Sequence, residues 1–280
     1  MTKQNPFSVY DFLGYLIPGS VLIYSYLIID YLKTNKEFNS TDFVSSFSKV
    51  EFESIFFFII LSYIIGHLLS FISSITVEKY ANWVYSYPSK YLLDMKYDKF
   101  WDSARKWTDI LWRIIIIILL FPCVIFDLFF GNFLNFKKFY TSPLDSLLRN
   151  IILNKLNILL GKLGHKFTNE YKNERGYANE YDFNRIATHY AYENSKNHQA
   201  KMSNYVALYG FLRTLCLIFN FLSIYLFLRV SIYLNWNLEN FSLFIFLSGI
   251  TYLTFMAFMK FYRRYTLEGL MIIAIDENLK

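Results

Sequence analysis

The sequence predicts an all-α, polytopic helical membrane protein with a cytoplasmic helical insert, and three observations carry that expectation. Hydrophobic residues make up 55% of the 280 residues and charged ones 18%, too apolar for a globule whose surface must face water. The apolar residues fall in uninterrupted runs of about twenty, the length an α-helix needs to cross a hydrocarbon core of about 30 Å. Lys and Arg gather in particular connecting segments, as basic loops do when they are retained on the cytoplasmic side.

Taken in order, the first apolar run is Phe12 to Leu32, with Pro18 and Gly19 inside it. It is longer than a signal-peptide core and no small-x-small cleavage site follows, so it reads as a span. The second run is Ile55 to Val77 with Gly66 and His67. The third, Ile110 to Leu134, holds five successive isoleucines together with Arg113, Pro122 and Asp127. The fourth extends from Tyr205 to Leu234 with Arg213 and Arg229, and the fifth from Phe241 to Phe261. The expected organisation is a membrane region over 1–134, a basic insert over 135–204, a pair of spans over 205–262 and a cytoplasmic tail over 263–280.

Charge decides the expected topology. Segment 135–204 holds eleven Lys and Arg, 79–109 holds six, and the stretch from Lys260 holds four, against three in 33–54, one before the first run and none in 235–240. Five crossings would strand the basic 79–109 segment outside, whereas four crossings with a dipping third run would keep every basic stretch inside. Hydrophobicity alone favours five, and the charge bias favours four. Pro122 between Arg113 and Asp127 suits a broken helix, because non-helical backbone at depth survives only where protein or water covers it. Either way the insert and the end of the chain face the cytoplasm of a bacterial inner membrane.

Within the insert, Ser142, Pro143 and Asp145 read as a helix start, with Ser142 as N-cap, followed by an amphipathic helix through Phe167. A turn is expected around Gly176, then a second helix from Asp182 with an interruption at Asn194 to Asn197. Lys155, Lys162 and Lys166 fall within about 40° of one another on the first of these helices. That face suits lipid headgroups or a phosphate-rich ligand. Arg149, Arg185, His189, Lys196, His198 and Lys201 extend the candidate ligand-binding set, and nearby tyrosines offer stacking faces for bases.

Arg185 and His189 are also similar to the Arg-and-His signature of HEPN nucleases, although three residues separate them where four to six are usual. No zinc set is expected, since His165 is the only further histidine nearby. The two cysteines, Cys123 and Cys216, lie inside apolar runs and suggest neither disulfide nor metal. No cofactor and no catalytic residue is expected. The candidates for pore or gate are Asp11, Pro18, Gly19, His67 and Arg213, because a charge at membrane depth needs a partner or water and Pro-Gly within a span makes a bend.

Three stretches carry a resemblance: Tyr10 to Gly19, Asn194 to His198, and Asn204 to Phe211 leading into Arg213. They resemble a group of bacterial membrane proteins encoded among anti-phage defence genes. In layout the chain is similar to the membrane effector of the Hailong system, which is paired with a nucleotidyltransferase that makes single-stranded DNA oligomers. The resemblance implies a homo-oligomeric ion channel embedded in the lipid bilayer, a nucleotide or single-stranded DNA ligand, and a co-encoded nucleotidyltransferase as partner.

Overall fold

The computed structural model describes residues 11–34, 52–95, 97, 100–104, 106–164, 183–194, 196–234 and 236–279. The fold is all helical, with no strand among the described residues. A π-helical turn, Phe12–Leu16, leads into α1 (Ile17–Thr34). Then follow α2 (Phe52–Ile75), α3 (Val77–Tyr85), α4 (Pro88–Leu92), α5 (Trp107–Leu119) and α6 (Phe121–Phe126), which runs on as a π-helical turn, Asp127–Phe133. The last elements are α7 (Lys138–Thr141), α8 (Ser146–Lys162), α9 (Phe183–Asn194), α10 (Lys196–Ile232) and α11 (Leu238–Ile275).

Four helical stretches are long and apolar enough to cross a membrane, namely Phe12–Tyr31, Glu53–Leu92, His198–Ile232 and Leu238–Ile275. The third apolar run of the sequence is instead two half-helices bent by 86° at Leu120. Pro122, which lacks an N–H for the carbonyl four residues back, sits in the first turn of the second half and fixes the break there.

Backbone pairs set the bundle. Gly19 of α1 sits so close to α2 that an added Cβ would lie 1.8 Å from the Ser62 carbonyl oxygen, and at Gly66 it would lie 1.9 Å from that of Tyr15. Only glycine permits this approach. The π-helical turn just before Pro18 passes the Ile17 N–H back to Phe12, which accommodates the proline without opening the helix. α10 and α11 form an antiparallel pair, with Tyr209 against Phe258 at one level and Phe227 against Phe244 at another.

At 37 and 38 residues, α10 and α11 are each about 55 Å long, nearly twice a hydrocarbon core. The surplus carries the lobe. Ile152, Leu156 and Leu160 of α8, Phe183 and Ala187 of α9, and Leu92 before α5 form one apolar cluster with Leu270 and Ile273 of α11 and with Leu279. The segment 135–204 thus shares its core with α4 and with the last turns of α11. The boundaries expected at 204 and 262 fall inside α10 and α11, because apolar residues keep recurring at Leu267, Leu270 and Ile273 and have the lobe to pack on.

The helix start in the insert also differs from the sequence reading. Asp145, not Ser142, caps α8, its carboxylate accepting from the Leu148 N–H at 2.9 Å. Ser142 is extended at the end of α7, where its backbone carbonyl accepts from Arg263. The helix ends at Lys162; the turn expected near Gly176 lies outside the described residues.

Candidate functional site

The broken pair α5–α6 is the feature that departs most from a plain bundle. On the way in, Arg113 lies under Trp83 of α3, 4.9 Å from the ring centroid. The same α3 carries Glu78, which pairs with Arg213 of α10. Deeper, the Leu119 carbonyl accepts from Asn220 Nδ2 at 2.8 Å. At the elbow Phe121 packs on both Phe227 and Phe244, centroids 5.1 and 6.4 Å away. On the way out, Phe126 faces Gly249, Phe130 stacks on Tyr252 at 5.9 Å, and the Ser142 carbonyl accepts from Arg263 at 3.0 Å. These contacts descend about 20 Å along α10 and then climb α11, so the pair leaves the bundle at the end where it came in.

Asp127 sits on the returning arm and is fully buried. Its Oδ1 accepts from the hydroxyls of Tyr85 at 2.6 Å and Tyr140 at 3.3 Å, and its Oδ2 from Tyr80 at 2.8 Å. Tyr140 also meets Tyr252 hydroxyl to hydroxyl at 3.4 Å. Burial drives the Tyr140 phenol far above its ordinary value, with the Asp127 charge adding to it, so this hydroxyl keeps its proton and donates. Among the described residues none of the ion pairs includes Asp127. Three hydroxyl donors therefore satisfy a buried carboxyl group, as a polar group away from water requires. Gly131 makes room: a Cβ there would lie 2.4 Å from Asp127 Oδ1 and 3.1 Å from the Tyr85 hydroxyl.

No family model matches the chain, and neither a curated protein nor a solved structure is similar to it. The site is therefore read from its own residues.

Among the expected pore or gate residues, Arg213 is buried. Its Nη1 donates to Glu78, its Nε to Ser73 Oγ at 3.0 Å, and its Nη2 to the Ser70 carbonyl at 3.2 Å. It ties α10 to α2 and α3. His67 is exposed on the outside of α2, stacked on Tyr15 with centroids 3.7 Å apart and edge-on to Tyr63 at 4.6 Å. Pro18 and Gly19 are buried at the α1–α2 contact and Asp11 is half-buried about two turns before them.

The basic ligand candidates are largely engaged with the chain itself. Lys155 Nζ donates to the carbonyls of Asp276 at 2.8 Å and Leu279 at 2.6 Å, and Lys162 Nζ to that of Asn278 at 2.8 Å. Glu268 Oε1 lies 3.0 Å from His198 Nδ1 and accepts from Lys201 Nζ at 2.7 Å. Arg149 pairs with Asp94 at 2.6 Å. Arg185 and His189 are exposed on α9. Lys166 and the side chain of Lys196 lie outside the described residues.

Tyr190 adds a further tie, donating to Asp276 Oδ2 at 2.5 Å. That bond holds the Asp276 carboxyl below its usual range, while partial burial pushes the Tyr190 phenol up to about 12. Sequence reasoning missed Glu78, Glu268 and the four tyrosines. Only Asp127 carried a signal, as a carboxylate inside an apolar run; partners so distant in the chain cannot be paired by spacing.

Proposed function

We propose that the chain is a non-enzymatic, homo-oligomeric ion channel of the bacterial inner membrane, acting as a membrane effector of anti-phage defence. The observation that supports conduction is the hairpin: a helix broken inside the bundle, with a carboxyl group on its returning arm. Broken helices at depth place unpaired backbone ends and polar side chains where an ion can use them. The defence role rests on the resemblance of the Tyr10 to Gly19 and Asn194 to His198 stretches and of Asn204 to Phe211 leading into Arg213.

The hairpin also supports the orientation. Because it returns to the end where it came in, the basic stretches around α4, α7, α8 and α9 gather at one end of the bundle, which suits a cytoplasmic lobe under the rule that basic segments stay inside. Gating is assigned to this lobe, with a nucleotide or short single-stranded DNA from a co-encoded nucleotidyltransferase as the ligand. Arg185 and His189 lie on its open face. Lys155, Lys162, His198 and Lys201 bear on the lobe's attachment to α11, so a ligand that draws on them acts on the helix that lines the hairpin. Such a ligand gates only by differing in affinity for the closed and open arrangements.

Liposomes carrying the purified protein test this reading. Ion efflux above that of protein-free vesicles is expected, and tight vesicles under every ligand condition would remove conduction. Affinity for short oligonucleotides should fall steeply with salt as phosphates are neutralised; binding that is absent or flat with salt would remove the sensing half.

A further inference from the structure

The elbow of the hairpin holds two buried oxygens that the protein leaves unpaired. Asn220 Oδ1 and Ser248 Oγ are both fully buried and have no hydrogen-bond partner among the described residues. Each lies on a face already fixed by the packing around Phe121. Ser248 is one turn along α11 from Phe244, and Asn220 is two turns along α10 from Phe227; those two rings hold Phe121 at the elbow. Ser223 lies between Asn220 and Phe227 on the same face of α10 and is fully buried. Its hydroxyl donates to the Phe219 carbonyl at 2.9 Å, and its lone pairs remain available to accept.

The chemistry of this set is weighted towards oxygen lone pairs. Asn220 Nδ2 gives one N–H to the Leu119 carbonyl, and that bond fixes the amide, leaving Oδ1 as an acceptor without a partner among the described residues. What remains unpaired is neutral oxygen, the Asn220 carbonyl and the Ser248 hydroxyl. α5 ends at Leu119, so the negative end of its dipole terminates at the elbow, and Pro122 has no N–H to return to the preceding turn. An anion would meet lone pairs and a negative helix end. A divalent ion would want carboxylates, and Asp127 is held by Tyr80, Tyr85 and Tyr140 on the returning arm. Neutral oxygens at the end of a half-helix suit a small monovalent cation.

We propose that the elbow is a binding site for a monovalent cation of the size of Na⁺ or K⁺, with Asn220 Oδ1 and Ser248 Oγ as ligands and Ser223 Oγ as a third oxygen. The site deepens the conduction reading and rests on it for its role: it makes the path cation-selective. Binding itself is measurable without any flux.

The test is thermal unfolding of the purified full-length protein in detergent, at constant ionic strength, with choline replaced stepwise by Na⁺ or K⁺. Stabilisation that saturates with one of the two metal ions and is absent in choline is expected. Ser248→Ala should raise the half-saturating concentration by about fivefold or more. Ser248→Ala discriminates cleanly. Removing an orphan hydroxyl from an apolar core is neutral or stabilising in all salts if the residue is merely structural.

Equal melting in Na⁺, K⁺ and choline would mean that water alone fills the elbow and would overturn the proposal. So would an unchanged cation dependence in Ser248→Ala. Liposome flux separates this from the broader reading: cation-specific stabilisation without flux keeps the site and removes conduction, whereas flux without cation-specific stabilisation removes the site.

Discussion

The two long helices meet two surroundings, and their polar residues are handled differently in each. In the bundle, Arg213 and Asp127 are buried and satisfied by partners from other helices, and Asn220 is tied to α5 through its Nδ2, with backbones pressed together at Gly19 and Gly66. In the lobe, Lys162, Lys201 and Arg149 stay at the surface and make single ties to carbonyls or carboxylates. Without water as an alternative partner, a polar group in the bundle must find its bonds in the protein; in the lobe water competes for every one. Substitutions in the bundle should therefore cost far more than substitutions in the lobe.

The largest effect is expected from Arg213→Leu, which strands Glu78 beneath α10. Breaking one side of a buried pair costs about 3–5 kcal/mol, read as loss of folded protein in detergent melts; the double variant Arg213→Leu with Glu78→Leu should recover much of it. A single variant as stable as wild type would show that Glu78 reaches water. Next comes Gly66→Ala, where the new Cβ meets the Tyr15 backbone. A clash with backbone cannot be relieved by a rotamer change, so about 1–3 kcal/mol is expected, together with a weaker crosslink between cysteines placed on α1 and α2. An undiminished crosslink would break the close-packing account.

Gly131→Ala should cost about 1–3 kcal/mol by displacing the Asp127 carboxyl from its hydroxyls. Tyr85→Phe, which removes one of three donors, should cost about 1 kcal/mol. If the two variants melt alike, the contact at Gly131 is not what holds Asp127 in place.

In the lobe the effects shrink. The Asp276 carboxyl is lowered by the Tyr190 hydroxyl, so its contribution is present above the unfolded-state value near pH 4 and is lost as pH falls through the lower folded value. Tyr190→Phe should remove that acid-side dependence, seen by following the lobe's hydrogen exchange between about pH 3 and pH 5. Persistence of the dependence would assign it to another carboxylate. Smallest of all, Arg149→Ala should change stability by no more than about 1 kcal/mol, and by less at high salt.

Much of this architecture could be read from the chain. Runs of apolar residues located all the helices long enough to cross, and Pro122 between two charges located the break. Element type was legible because periodicity and run length are local. The partners were not. Glu78 lies in a short amphipathic helix, and its partner Arg213 comes from α10, more than a hundred residues further along the chain. The lysines of α8 read as a ligand face because their neighbours in sequence leave them open; the segment that engages them, Asp276 to Leu279, arrives from more than a hundred residues away. The course of α11 past the expected boundary at 262 was hidden for a related reason: Arg263 and Arg264 look like the end of a span, and the apolar positions that continue the helix have meaning only once the lobe is there to cover them.

That continuity has a mechanical consequence. α11 carries the lobe's attachments at Glu268 and Leu270 and, without interruption, the aromatic side chains that hold the hairpin at Tyr252 and Phe244. A rod about 55 Å long turns a rocking of a few degrees at one end into several ångströms of travel at the other. Whatever loosens or tightens the lobe is thereby geared, with amplification, to the ring stack that keeps Phe121 seated.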